Sequence, residues 1–137
     1  MQNNQTTDTS SVAKNVAEAE KLAAIANNEP DIFAYTHHFM QPFAYHGATI
    51  EQLTFDWGTL TGKDHMDIEN EILRRGKTLV LPAYTGEFLC GMAVRACTNR
   101  SSEGFRILDM DAMRAMPMRD FQTICKRAQR FLLRAEL

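Results

Sequence analysis

The chain has 137 residues, 45% of them hydrophobic and 23% charged, enough for one domain with its own core and too few for two comfortable ones. Its formal net charge of −2 gives no reason to expect general attraction to DNA or to an anionic membrane. No apolar run approaches the roughly 18 residues that cross a bilayer, and the N-terminus lacks the basic, apolar, small-residue order of a signal peptide.

Residues 1–11 are mostly Asn, Gln, Thr, Ser and Asp, with almost nothing to bury, and are expected to be disordered. Over 12–26 the spacing of Val12, Val16, Ala19, Ala23 and Ala26 predicts a weak helix that needs a partner surface. Asn27-Asn28-Glu29-Pro30 ends it. Residues 1–30 therefore read as an extension and 31–137 as the domain.

Residues 33–57 read as a β-hairpin. Phe33, Tyr35, His37, Phe39, Gln41 and Phe43 alternate with smaller or more polar residues, and Tyr45-His46-Gly47-Ala48 supplies the turn. The return strand carries Ile50, Leu53, Phe55 and Trp57, and its period slips around Glu51-Gln52, which predicts a bulge or a late start. Pro42 inside the first strand marks an edge. Such an aromatic edge fits either a half-buried sheet packed on helices or a surface for a partner chain.

The next element has its own start signal. Thr61 is a good N-cap, and Asp64 stands in for the Glu of a capping box while placing a carboxylate on the positive end of the dipole. The helix is expected over 62–75, burying His65, Ile68, Ile72 and part of Met66 and Leu73, and Gly76 stops it. A second helix starts near Thr85, with an apolar stripe of Phe88, Leu89, Met92, Ala93 and Ala96 and a small Gly91 that permits close approach. After a polar loop over 99–104, a short helical turn over 109–116 leads to Pro117, a good first residue for the last helix. That helix is striped by Phe121, Ile124, Cys125, Ala128 and Leu132. The fold class is α+β: an N-terminal hairpin followed by a cluster of about three to four helices.

The chemistry-bearing residues are scattered. His37 and His38 are adjacent, so a strand sends them to opposite faces, and neither His46 nor His65 has a second ligand at helical spacing. Asp64, Asp67 and Glu71 share a helix face and read as solvated, dipole-stabilising acids. Cys90, Cys97 and Cys125 contain no CxxC pair. A helical Cys90 and Cys97 would lie about 10 Å apart, too far to bridge, so all three read as buried free thiols. No glycine pattern matches a phosphate cradle, and the serines have no histidine at a motif-like spacing. No catalytic, metal or cofactor residue is therefore assigned, and the chain is not read as an enzyme.

Two segments admit a binding role. Arg119, Lys126, Arg127, Arg130 and Arg134 line the last helix with one nearby acid, Asp120, which fits a solvated face or a nucleic-acid-binding helix. Met110, Met113, Met116 and Met118 cluster just before it, as core filling or as a groove for varied helices.

The order of these elements resembles the tail assembly chaperones of long-tailed bacteriophages and prophages. The resemblance rests on Phe43-Ala44-Tyr45-His46-Gly47-Ala48-Thr49-Ile50, Leu53-Thr54-Phe55-Asp56-Trp57, Leu60-Thr61-Gly62-Lys63-Asp64 and Ile68-Glu69-Asn70-Glu71. It continues through Ala93-Val94-Arg95-Ala96 and Met116-Pro117-Met118-Arg119-Asp120-Phe121 to Phe131-Leu132-Leu133, covering roughly 39–133. The alanine-rich N-terminal segment and Cys90-Gly91-Met92 depart from the family pattern. The resemblance implies a non-enzymatic protein of the host bacterial cytoplasm that binds the helical tape measure protein, keeps it soluble and helps recruit tail tube subunits. Such a protein is absent from the mature virion. Phe39, Phe43, Met113, Met116, Phe131 and Leu133 are the expected contact residues, and exposed apolar groups there would dock a partner or form a homo-oligomer.

Overall fold

A computed structural model describes residues 32–135 of the protein; the expected disorder over 1–11 and helix over 12–26 lie outside the described residues. Strands β1 (Ala34–Tyr45) and β2 (Ala48–Asp56) form an antiparallel hairpin. His46 and Gly47 both take positive φ, 51° and 78°, the pairing that a two-residue turn needs to match the twist of its strands. Between the pairs His38–Gln52 and Phe43–Ile50 the register shifts, so residues 39–42 of β1 face Glu51 alone. This bulge holds Pro42, whose missing N–H costs the ladder nothing there. It also accounts for the broken alternation of the return strand, where buried Ile50 and Leu53 are three apart.

A single 3₁₀ turn, Trp57–Thr59, leads into helix α1 (Gly62–Arg74). The capping box is formed: the Asp64 amide donates to the Thr61 hydroxyl, and the Thr61 amide donates to Asp64 Oδ2 at 2.8 Å. At the other end Gly76, at φ +79°, donates to the Leu73 carbonyl. Ile68 and Ile72 are buried and His65 is half-buried, whereas Met66 and Leu73 are more than half exposed. The buried stripe of α1 is narrower than expected because, among the described residues, the helix packs mainly on α2 through one face.

Helix α2 (Gly86–Ala96) is the centre of the domain, and every residue of its expected stripe is buried. Both α1 and the long last helix, α4 (Met118–Ala135), pack on it. A Cβ on Gly91 would lie 2.7 Å from Ile68 Cγ2, so the absence of a side chain is what lets α1 sit against α2. Helix α3 (Met110–Ala115) is capped by Asp109, whose side chain accepts from the Ala112 amide at 2.8 Å. Pro117 stands one position outside α4, not at its first turn, and its carbonyl accepts the Phe121 amide. The core joins Leu53, Phe55 and Trp57 of the hairpin side to Phe88, Met92, Leu108, Met113, Ile124 and Ala128. The rings of Phe55 and Trp57 stack within it at 5.1 Å.

Candidate functional site

Four of the six expected contact residues belong to the core. Phe39, Phe43, Met113 and Met116 are all buried, with Phe39 and Phe43 stacked at 5.5 Å on the inner face of β1. The expectation of a docking surface at these four is corrected. Their neighbours inside the subunit already cover them, because β1 turns its aromatic face inward. Phe131 and Leu133 stay half-buried near the end of α4.

Phe131 lies on an open groove, whereas Leu133 is not among its lining residues. Helices α1 and α4 flank α2 and leave a gap of about 330 Å³, lined mainly by Leu60, His65, Ile68, Phe88, Met92, Phe131 and Leu132. The Phe33 ring meets Phe131 edge-on at 5.8 Å and is itself half exposed. His65 lies over Phe88 with ring centroids 4.8 Å apart. The walls are aliphatic and aromatic, with Thr61 and Asp64 at the rim. Such a surface takes bulky apolar side chains of a partner.

The acids of α1 are engaged. Arg95, reaching over from α2, places Nη1 3.1 Å from Asp64 and 3.9 Å from Asp67, and Nη2 3.1 Å from Glu71. Burial alone would raise the Asp64 carboxyl, but hydrogen bonds from Thr61 and Arg95 override it and hold the group below the usual range. The Lys63 ammonium, 2.7 Å from Asp67, does the same for that residue, with Arg95 adding to it. The shared acidic face is thus a clamp between two helices.

A second polar cluster had no signal in the sequence beyond the burial of alternate strand residues. His37 and Asp120, only 5% and 4% exposed, join β1 to α4, with Nε2 2.7 Å from Oδ1. The Tyr35 hydroxyl lies 2.8 Å from Nδ1 on the other side of the ring. Arg127 stacks over Tyr35 at 4.3 Å, and burial raises the Tyr35 phenol above its ordinary value despite that cation. All the ring nitrogens and the facing carboxylate oxygen are satisfied, as burial requires. The cluster is a relay of hydrogen bonds between β1 and α4.

Two cations of the basic stripe of α4, and one on α3, make contacts within the subunit. Arg127 covers Tyr35, Arg119 donates to Met40 Sδ, and Arg114, just before the helix, pairs with Glu87 and Asp111. All three cysteines are free and buried. Cys90 lies on α2 and Cys125 on α4, and the neighbouring Cys125 thiol together with burial pushes the Cys90 thiol up. Tyr45, partly buried and donating to Asp109 at 2.8 Å, is pushed up to about 12.

Among the described residues no group of three His, Cys, Asp or Glu side chains could hold a metal ion, and no helix is long and apolar enough to cross a membrane. Comparison with protein families, with characterised proteins and with solved structures yields no match to this chain.

Proposed function

We propose that the protein is a tail assembly chaperone that binds an apolar helical face of the tape measure protein, keeps it soluble and hands it to tail tube subunits. The reading places it in the host bacterial cytoplasm during assembly and outside the finished virion. The ordered motifs of the sequence suggest the family, and the groove between α1 and α4 is the observation that supports a binding role. Its walls offer replaceable apolar contacts. A long helical protein with exposed apolar faces aggregates unless such contacts cover it.

The test is co-expression with the tape measure protein, scored by its solubility, using wild type and a Phe131→Ser, Leu133→Ser pair of substitutions. Loss of a contact at the centre of a docking site weakens binding by about 2 kcal/mol or more. The expected outcome is a loss of soluble partner with little change in melting temperature. Parallel loss of both would assign these side chains to the core. Retention of the wild type on DNA at physiological salt, with steep salt dependence, would replace this reading with nucleic-acid binding.

A further inference from the structure

Beside β2 lies a cleft of about 540 Å³ whose near wall is five consecutive residues, 48–52. Successive strand residues point to opposite faces, so a cleft that touches all five follows the strand's edge and not one face. Its far wall is Asn99, Arg106 and Ile107, with Tyr45 and His46 at one end.

The chain itself begins to fill this edge and then leaves it. Cys97 bridges Phe55 antiparallel, the Thr98 amide donates to the Thr54 carbonyl at 2.8 Å, and the Thr54 amide donates to the Asn99 side chain at 2.8 Å. Thr54 therefore turns both main-chain groups away from β1 and toward a third-strand position. Past Asn99 the chain peels off into a small turn closed by the Arg100–Arg106 bridge and the Ser101 amide bonded to the Phe105 carbonyl. From Gln52 back to Ala48 the third-strand position is the cleft.

The charges beside it are one-sided on the far wall. Arg100 donates to the carbonyls of Cys97 and Asn99, and Arg106 to that of Val94, so both cover the end of α2. Neither guanidinium has a carboxylate within ion-pair reach among the described residues. On the strand side Glu51 is the opposing charge.

We infer that the outer edge of β2 over residues 48–52 is a strand-addition site for an extended peptide of a partner protein, with an acidic side chain directed at Arg106. The edge geometry suits this occupant, because only an extended segment can pair with main-chain groups along the side of a strand. Main-chain hydrogen bonds supply the affinity and the Arg106 wall the selectivity. The inference is independent of the groove between α1 and α4.

The experiment uses the full chain and a short acetylated, amidated peptide that alternates threonine and valine around one glutamate. Controls carry lysine at that position or N-methyl groups on alternate amides. The glutamate peptide is expected to bind and to slow amide exchange across residues 48–52. The lysine form should bind about tenfold more weakly, and N-methylation should abolish binding because it removes the donors of one edge. Arg106→Glu should reverse the preference between the two charges. Should that variant misfold, the N-methylated peptide on wild type still decides the question. Equal binding of all three peptides, or no saturable binding of the glutamate form up to about 1 mM, would overturn the inference. So would a concentration-dependent dimer in sedimentation that protects the same amides, since the edge would then belong to a second copy.

Discussion

The two seams that hold this domain together are built on opposite plans. Between α1 and α2 the contact is apolar at its centre, where Ile68 sits on Gly91, and charged at its margin, where Arg95 clamps Asp64, Asp67 and Glu71. Between β1 and α4 the polar pair is inside, and His37 and Asp120 meet out of reach of water. Marginal charges are screened and worth little each, whereas a buried pair is costly to break even when its net contribution is small. The second seam is therefore the more fragile to a single change.

Substitution tests that difference directly. His37→Phe should be the most damaging variant, because it leaves a carboxylate buried with no partner, at a cost of about 3–5 kcal/mol. Asp120→Asn keeps an acceptor for the imidazole N–H and should cost only about 1–2 kcal/mol. Urea denaturation of both would show the ordering; a His37→Phe loss no larger than the Asn variant's would mean that water reaches the site.

Gly91→Ala comes next. The added methyl meets a β-branched side chain that cannot swing aside on its own helix, so about 1–3 kcal/mol should be lost even though alanine favours helix. Ile68→Ala alone opens a cavity, yet in the Gly91→Ala background it should recover part of the loss. Strict additivity of the two would show that the residues do not touch.

Arg95→Met should give the smallest effect, about 1 kcal/mol at neutral pH. Its pH dependence is the sharper test. Asp64 and Asp67 titrate below their ordinary 3.8 in the folded protein, so the stabilisation is whole above that value and fades as pH falls through the lower folded values. Wild type and variant should thus converge in melting temperature on acidification, and a gap that stays constant below 3.8 would remove the acids from the account.

The same two seams explain how much could be read in advance. The Thr61 and Asp64 box, the stop at Gly76 and the tight turn at His46-Gly47 are decided by residues within a few positions of each other, and each is where its spacing placed it. Gly91 was also legible, since a glycine inside an apolar helix stripe has few uses other than close packing. The pairing of His37 with Asp120 spans 83 positions, and nothing local distinguishes that acid from any carboxylate at a helix start. Arg95 is likewise an ordinary polar-face residue until α1 lies alongside it. The aromatic and methionine content announced apolar surface around Phe39, Phe43, Met113 and Met116 but not its direction. Only the packing of β1 and α3 against the interior settles that these four are covered.

The kink over residues 39–42 reaches beyond the hairpin. Unlimited stacking of strands, as in fibrils, requires that both rims of a sheet accept a newcomer. Here one rim is interrupted by four residues out of step, one of them a proline that cannot donate. A second copy therefore cannot lay the β2 edge of its own hairpin along that rim, and the interruption keeps strand pairing from running from one molecule to the next.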